Sequence, residues 1–348
     1  MKLKPFELER YFFRYEFSAK YLLSSSDCDG LLQKDVIAMA DAEAKSLWDN
    51  LRLGYTESLG LPILREEISK IHKGVNKDDI LVIVPAEGIL IALNSILEKD
   101  DHIICTFPSY QSLYEIAGGL DCEVTKWQPD EHNDWKFDIK FLEANIKPNT
   151  KLLVFNFPHN PTGYLPSKKD FQEIIDIAKK HNLYVFSDEM YRFLEYNPES
   201  RLPSACEIYD KAVSLFGMSK TFGLAGTRIG WVITKDKELY NKMAAFKDYT
   251  TICSSAPSEI LSLIVLRNRN EVIKMNLDRI NKNLELLDSF FIKYKKLFSW
   301  IRPKAGTIGF PRLNIEQSSY DFCENVVRES SVMLLPSKVY GYDDKHFR

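Results

Sequence analysis

The chain has 348 residues, with 46 basic and 49 acidic side chains and therefore a formal net charge of −3. This near-neutral balance favours neither a nucleic-acid partner nor an acidic membrane surface. The amino-terminal residues are too charged for a secretory signal, and no apolar run is long enough to span a bilayer. The length predicts two domains, and the composition is that of an ordinary globular protein.

Six cysteines are scattered along the chain without a CxxC pair, and several of them lie inside apolar runs. This pattern predicts buried thiols in a reducing compartment, and hence a cytoplasmic protein without a disulfide framework. It also gives no zinc-binding spacing, so no metal site is expected.

Short, nearly unbroken apolar runs between residues 80 and 235 predict strands that are buried on both faces. They are Ile80–Val84, His102–Thr106, Leu152–Phe157, Leu183–Ser187, Ala212–Phe216 and Ile229–Thr234. Helical patterns lie between them, and the clearest is Ser167–His181, which Ser167 is expected to cap. The alternation predicts an α/β fold in which helices cover both faces of a mostly parallel sheet.

The pattern changes after about residue 236. Glu259–Arg267 and Glu271–Phe298 predict long amphipathic helices, and Ile308–Leu313 and Val332–Leu335 predict short strands. We therefore expect a large domain at 41–265 and a smaller α+β domain formed by 1–40 and 266–348.

Polar residues follow three of the predicted strands, at the edge where parallel sheets bind ligands. Asn160 follows the first of these strands, Asp188 and Tyr191 the second, and Lys220 and Arg228 the third. Singly, each has a structural explanation, such as a turn, a helix cap, a solvated lysine or an ion pair. Together they supply what pyridoxal 5′-phosphate requires: an amine for a Schiff base, a carboxylate for the pyridine nitrogen, donors to the ring oxygen and a cation for the phosphate.

The sequence resembles the class I/II aminotransferases, the aspartate-aminotransferase-like, fold-type-I family of pyridoxal phosphate enzymes. The resemblance runs from about Leu51 to Arg348. It rests on the motifs GYTESLGLPILREEI, FPSYQSLY, NFPHNPTG, SDEMY and MSKTFGLAGTRIGW. The order of these motifs is more specific than any one of them, because the aspartate lies 28 residues after the asparagine and the arginine eight after the lysine.

The resemblance implies a role for each matching residue. Lys220 is similar to the Schiff-base lysine that moves the proton, and Asp188 to the partner of the pyridinium nitrogen. Tyr191 and Asn160 match the donors to the ring hydroxyl, and Tyr110 matches the aromatic ring that stacks on the cofactor.

Further matches concern the phosphate, the substrate and the second subunit. Arg228 matches the phosphate-binding arginine, a bidentate task to which lysine is poorly suited. Tyr55 matches a tyrosine that reaches the phosphate of the partner subunit, which implies a homodimer with shared active sites. Arg348 matches the arginine that grips the substrate α-carboxylate through two parallel hydrogen bonds.

Two departures from the family pattern affect the phosphate site. The usual glycine-rich stretch with hydroxyl residues is replaced by Val84–Gly88, so the backbone amides of Ala86 and Glu87 are expected to bind the phosphate while the Glu87 carboxylate turns away. A hydroxyl residue is often found where this chain has Gly217, which leaves Ser219 as the nearest hydroxyl. Both departures predict a weaker hold on the cofactor.

Two further expectations concern the substrate. Family members continue beyond the position of Arg348 through a short strand and a closing helix, so the resemblance implies a truncated C-terminal end and a terminal arginine that is poorly held. Ser26, in the segment that corresponds to a loop over the substrate, either binds substrate or belongs to a helix-capping loop. Asp27 and Glu16 would suit a basic substrate side chain if they face the pocket.

The expected activity is transfer of the amino group of an L-α-amino acid to a 2-oxo acid through the Schiff base on Lys220. A pyridoxal phosphate-dependent lyase, decarboxylase or cyclase is the first alternative. A non-enzymatic ligand-sensing domain is a weaker alternative, because the chain carries no DNA-binding segment or basic arm.

Overall fold

The computed structural model describes all residues from Met1 to Arg348. Thirteen strands are present: β1 Tyr21–Leu22, β2 Ile80–Ile83, β3 His102–Thr106, β4 Glu123–Trp127, β5 Pro129–Asp130, β6 Lys136–Phe137, β7 Thr150–Asn156, β8 Tyr184–Asp188, β9 Ala212–Gly217, β10 Gly230–Ile233, β11 Phe298–Ser299, β12 Arg312–Leu313 and β13 Val332–Met333. Thirteen α-helices are present: α1 Glu7–Tyr15, α2 Gln33–Ala38, α3 Ala42–Asp49, α4 Pro62–Ser69, α5 Pro85–Ile96, α6 Ser112–Gly119, α7 Ile139–Ala144, α8 Lys168–Lys180, α9 Ala205–Ile208, α10 Lys237–Lys247, α11 Ala256–Arg267, α12 Arg269–Lys293 and α13 Ser319–Ser330.

Seven strands form one central sheet in the order β2-β10-β9-β8-β7-β3-β4. Only β10 runs against the others, since it pairs antiparallel with both β2 and β9. Every residue of β2, β3, β9 and β10 is buried, as expected for a sheet with helices on both faces. The predicted α/β fold with a mostly parallel sheet is therefore confirmed.

All six predicted strands occur in this sheet, but the seventh, β4, was missed. β4 is an edge strand, and its charged residues Glu123 and Lys126 are exposed. A half-exposed edge strand does not give the continuous apolar run by which the other strands were found.

The best-defined predicted helix is confirmed as α8. The Ser167 side chain accepts a hydrogen bond from the N–H of Asp170, as an N-cap does. The long helix predicted over Glu271–Phe298 is α12, which ends at Lys293, and Phe298 belongs to β11 instead. The strands predicted at Ile308–Leu313 and Val332–Leu335 are reduced to the two-residue pieces β12 and β13.

The amino-terminal residues divide between two cores. Tyr11 and Phe12 of α1 pack with Met333 and Tyr340, and β1 pairs in parallel with β13. Val36 of α2 packs instead into a core that lies against the central sheet. The segment up to β1 therefore packs with the C-terminal part of the chain, whereas α2 packs with the elements around the central sheet.

Candidate active site

Three adjacent strands, β7, β8 and β9, bring their last residues to one edge of the sheet. Asn156 pairs in register with Asp188, and Asp188 pairs with Leu215, two residues before Gly217. The loops that follow these strands carry Asn160, Tyr191 and Lys220. The topology therefore places the predicted amide, carboxylate, phenol and amine at neighbouring strand ends.

Asp188 is a buried carboxyl group at the end of β8. Burial raises its pKa from 3.8 to about 7, against the opposing effects of the Met190 N–H and of Lys220. The Met190 N–H donates to Asp188 Oδ1 at 3.1 Å, and the Asn156 amide donates to the Asp188 backbone carbonyl at 3.0 Å. The first bond fixes the carboxyl group and the second fixes the backbone of Asp188. A neighbouring cation would stabilise the charged form of this buried carboxyl group.

Lys220 follows β9 and lies against the amino-terminal segment. Its Nζ donates to Ser26 Oγ at 2.9 Å, and the Cys28 N–H donates to the Lys220 carbonyl at 3.2 Å. Burial lowers the pKa of the amine, while Asp27 acts in the opposite direction. A lowered pKa increases the fraction of neutral amine, which is the nucleophilic form. The structure thus brings predicted Ser26 directly to the predicted reacting amine.

A buried network joins Asn160 to the end of the chain. Asn160 Oδ1 accepts hydrogen bonds from Tyr340 Oη at 3.1 Å and from Arg348 Nη1 at 3.2 Å. Arg348 Nη1 also donates to Tyr340 Oη at 2.7 Å, and Arg348 Nε and Nη2 donate to the Ser24 carbonyl at 3.2 and 2.7 Å.

The expectation that Arg348 is poorly held is wrong. Arg348 is only 6% exposed. Its backbone N–H donates to the Leu335 carbonyl at 2.7 Å and its carbonyl accepts from the Leu335 N–H at 3.0 Å. Pairing with Leu335, directly after β13, together with the bonds to the Ser24 carbonyl, orders this residue.

Two tyrosines lie beside these groups. Tyr191 is buried, and burial raises its pKa against the effects of nearby Arg348 and Ser26. Burial likewise raises the pKa of Tyr110, with Glu9 acting in the same direction and Arg228 in the opposite one. Both phenols therefore remain protonated donors at neutral pH, Tyr191 near the substrate residues and Tyr110 near the arginine predicted for the phosphate.

The amino terminus of α5 supplies the backbone donors predicted for the phosphate. Pro85 occupies the first turn and Val84 provides no side-chain cap, so the first-turn amides of Ala86 and Glu87 have no partner within the helix. The Glu87 carboxylate accepts hydrogen bonds from the hydroxyls of Thr250 and Thr251 and from the Thr251 N–H. The Glu87 carboxylate is therefore held by the residues that follow α10.

The structure gives a steric reason for glycine at position 217. A Cβ atom there would lie 2.8 Å from Pro85 Cγ and 2.9 Å from Met190 Cε. Gly217 also pairs in register with Gly230, whose own Cβ would lie 2.7 Å from Pro85 Cγ. The proline ring at the start of α5 therefore occupies the space that a hydroxyl side chain on β9 would need.

Replacing Gly217 with serine is expected to destabilise the protein by about 1–3 kcal/mol, because the added atoms overpack a filled site. It is not expected to strengthen phosphate binding. Chemical unfolding of the variant and of Gly118→Ser, at a glycine with open space around its Cα, provides the comparison. A stable Gly217→Ser variant with a lower cofactor dissociation constant would contradict this steric explanation.

Arg228 and Ser219 complete the predicted phosphate residues within one chain. Arg228 is exposed and makes one side-chain hydrogen bond, from Nη1 to the Ala225 carbonyl at 3.0 Å. The remaining N–H groups of its guanidinium are free to bind an anion. Ser219 is buried directly before Lys220. Tyr55, by contrast, is 90% exposed and forms no hydrogen bond to this site within one chain.

Three carboxylates from the amino-terminal region, Glu9, Glu16 and Asp27, lie near Lys220. Glu16 has a raised pKa, caused by burial and by Glu9 and Asp27, while Lys220 opposes the increase. Glu16 and Asp27 are thus near enough to the reacting amine to influence its charge.

Sequence reasoning missed Tyr340, Asn156 and the carbonyl of Ser24. Asn156 carried a usable signal, since it is a polar residue at the end of an otherwise apolar strand. Its Oδ1 accepts from the Asn160 N–H at 2.7 Å, which orients the predicted loop. Tyr340 and Ser24 carried none, because only the fold of the smaller unit brings them to Asn160 and Arg348.

The residues present fit pyridoxal phosphate by their chemistry. A buried carboxyl group, a desolvated lysine, an exposed arginine and helix amides lie around the ends of three adjacent strands. Each is the type of group that a pyridinium nitrogen, an aldehyde and a phosphate require. Asp188 in particular has a reason to bind a cation, since its buried charge is otherwise destabilised.

Comparison with known proteins agrees with this site. Residues 18–348 match the family model for aminotransferase class I and II. An aromatic-amino-acid aminotransferase from Thermococcus litoralis is 28% identical over 320 residues, which cover 86% of this chain and 79% of that protein. The crystal structure of a PLP-dependent aminotransferase from Streptococcus suis is 30% identical with a TM-score of 0.93, covering 100% of this chain and 92% of that one. A PLP-dependent cyclase shares the fold, with 22% identity, a TM-score of 0.90 and coverage of 100% and 92% of the two chains.

The chain belongs to the class I and II aminotransferases. It is an enzyme of the pyridoxal phosphate-dependent aminotransferase type. None of its helices combines the length and apolar character that crossing a membrane requires.

Proposed function

We propose that the protein transfers the amino group of an L-α-amino acid to a 2-oxo acid, with Lys220 as the amine that bonds to the cofactor. When bound, pyridoxal phosphate supplies an electron-accepting ring that stabilises negative charge at the substrate α-carbon. The observation that carries this proposal is the position of Lys220 Nζ, held by Ser26 at 2.9 Å near the buried carboxyl group of Asp188.

The side chains of this chain divide the remaining tasks. Asp188 holds a positive charge at the pyridine nitrogen, because a cation there relieves the cost of its buried carboxylate. Asn160 and Tyr191 would donate to the ring oxygen, and Tyr110 would hold the ring by packing against it. Lys220 Nζ, once free, would take the proton from the substrate α-carbon as the general base and hold it for its return.

The phosphate is proposed to bind Arg228, the amides of Ala86 and Glu87 and the hydroxyl of Ser219. The substrate α-carboxylate is proposed to bind Arg348 and Asn160, with Ser26 nearby. Arg348 already uses Nε and Nη2 on the Ser24 carbonyl and Nη1 on Tyr340 and Asn160, so its orientation is set before substrate arrives. One N–H of Nη2 remains for the carboxylate, and the two parallel bonds expected from the sequence would require one of these partners to be displaced. Such a preorganised guanidinium also fixes the angle between the α-C–H bond and the cofactor ring.

A half-reaction tests transamination against its alternatives. The purified protein with one equivalent of pyridoxal phosphate is mixed with single amino acids, and the absorbance of the bound cofactor is followed together with the products. An aminotransferase converts the cofactor to its amine form and releases one 2-oxo acid. Loss of carbon dioxide, elimination or ring closure without that conversion would favour the decarboxylase, lyase or cyclase.

Arg348→Lys tests the carboxylate site. Lysine retains the charge but loses the planar guanidinium that is held by Ser24, Tyr340 and Asn160 and presents an N–H to the carboxylate. We therefore expect the substrate KM to rise by about 10–100-fold with a smaller change in kcat. Arg328→Lys, on the exposed face of α13, is the matched control. An unchanged KM in a folded Arg348→Lys variant would remove Arg348 from the substrate site.

We infer a homodimer in which Tyr55 of each subunit reaches the phosphate of the other. Tyr55 is 90% exposed and neighbouring Leu53 is 86% exposed, so this segment is poorly covered by its own chain. The first turn of α5 carries no side-chain hydroxyl. The partner's Tyr55 would therefore add a hydrogen-bond donor to the phosphate site. Sedimentation tests the homodimer. The cofactor dissociation constant of Tyr55→Phe tests the contact between Tyr55 and the phosphate.

A cytoplasmic location is also proposed. All six cysteines are unpaired, and five of them are buried. Free thiols in this number are typical of a reducing compartment.

A further inference from the structure

The side chain of Lys247 is 1% exposed, although it has no role in the proposed chemistry. It lies at the end of α10, and its Nζ donates to the carbonyls of Ser58 and Ile252 at 2.5 and 2.9 Å. Burying an ammonium group is costly unless strong hydrogen bonds satisfy it. The two carbonyls belong to chain segments almost 200 residues apart, so Lys247 joins them directly.

Both segments expose large apolar or aromatic side chains to solvent. The first, 53–58, carries Leu53 and Tyr55; the second, 249–254, carries Tyr249, which is 91% exposed, and Ile252, which is 49% exposed. A second bond joins them, since Thr56 Oγ1 donates to the Ser254 carbonyl at 3.0 Å. We call these two segments together the paired loops.

The conformation of the second segment depends on Lys247. Ile252 has a φ of +63°, which is unfavourable for a β-branched residue. Its N–H donates to the Lys247 carbonyl at 3.1 Å while its own carbonyl accepts from Lys247 Nζ. Both backbone groups of this strained residue are therefore held by the same lysine.

The paired loops also contact the proposed phosphate site. Thr250 and Thr251 donate to the Glu87 carboxylate, and Glu87 is one of the two residues whose amides are proposed to bind the phosphate. Lys247 thus connects the segment that bears Tyr55 to the first turn of α5. A shift of the second segment would alter both the docking surface of the chain and its own phosphate site.

We propose that Lys247 is a positioning residue that holds the paired loops as one surface, so that Tyr55 enters the partner's phosphate site in a fixed orientation. This inference rests on the homodimer of the proposed function. Lys247 would thereby influence cofactor affinity without contacting the cofactor.

Lys247→Met tests the proposal in the full-length chain, because methionine keeps the apolar stem and removes the ammonium group. We expect the cofactor dissociation constant and the dimer dissociation constant each to rise at least ~10-fold. Hydrogen exchange of the cofactor-free protein should accelerate in residues 53–58 and 249–254 while the central sheet keeps its protection. Thr56→Val, which removes only the bond to the Ser254 carbonyl, is the milder variant if Lys247→Met does not fold.

A double-mutant cycle separates positioning from general destabilisation. If Lys247 acts through Tyr55, then Tyr55→Phe weakens cofactor binding in the native background and has little further effect beside Lys247→Met. Additive effects of the two changes, or unchanged exchange in the paired loops, would overturn the proposal. A monomeric native protein whose cofactor affinity is unaffected by Tyr55→Phe would instead overturn the homodimer, and the positioning role with it.

Discussion

Lys220→Ala is expected to reduce kcat by at least ~10⁴-fold, because the change removes both the covalent bond to the cofactor and the general base. Alanine leaves Ser26 Oγ without the amine that it contacts at 2.9 Å, while the backbone bond from Cys28 is preserved. The absorbance band of the cofactor bound to its lysine should vanish together with turnover. Stopped-flow absorbance with a good amino donor measures both.

The matched control is Lys282→Ala, at an exposed lysine of α12. It should retain the band and the native rate. Added methylamine should restore part of the activity of Lys220→Ala if the missing group is a base, because the alanine leaves room for a small amine. A Lys220→Ala enzyme with its cofactor band unchanged would contradict the assignment.

Asp188→Asn is the second change with a large expected effect. The amide is similar in size to the carboxylate but cannot hold a positive charge at the pyridine nitrogen, so the ring accepts electrons less well. We expect kcat to fall by about 10²–10³-fold, the range seen when a preorganised electrostatic group is removed. Asp210→Asn, at an exposed aspartate, is the control, and near-native kcat in Asp188→Asn would exclude this role.

The same substitution should stabilise the cofactor-free protein at alkaline pH. Burial raises the pKa of Asp188 from 3.8 to about 7. Between pH 3.8 and pH 7 the folded state therefore still binds a proton that the unfolded state has released. The contribution of this carboxyl group to stability is therefore complete below pH 3.8 and is lost as the pH rises towards 7. Above pH 7, cofactor-free Asp188→Asn should exceed the native protein by about 2–4 kcal/mol in its free energy of unfolding, and the two should converge near pH 4.

Chemical unfolding at pH 5 and pH 8 measures this difference, and bound cofactor should abolish it. The opposite sign, a native protein that gains stability relative to Asp188→Asn between pH 5 and pH 8, would show that Asp188 is stabilised as a carboxylate without the cofactor. A group that lowers stability and raises activity is typical of functional sites.

The part of the site that the sequence predicted lies on the central sheet. Apolar runs located β7, β8 and β9, and the polar residues that follow them could be assigned to one edge because parallel strands end together. Lys220, Asp188 and Asn160 were found in this way. The steric reason for Gly217 could not be found, because it depends on Pro85 of another strand–helix connection.

The smaller unit was less predictable. Arg348 was expected to be poorly held from its position in the chain, whereas its order comes from Leu335, Ser24 and Tyr340, which the sequence does not mark as neighbours. The short strands β12 and β13 were overestimated in length, because apolar residues near 308–313 and 332–335 are buried without regular pairing. The pattern of apolar residues indicates which segments are buried. Only tertiary contacts decide whether a buried segment pairs with another strand.

Covalent capture of the cofactor tests the central claim most directly. The protein is incubated with pyridoxal phosphate, reduced with borohydride, digested and mapped by mass spectrometry. We expect a single modified residue, Lys220, and loss of the modification from that peptide in Lys220→Ala. Stoichiometric labelling of another lysine, or no labelling of a protein that binds the cofactor, would contradict the assignment of Lys220 as the reacting amine.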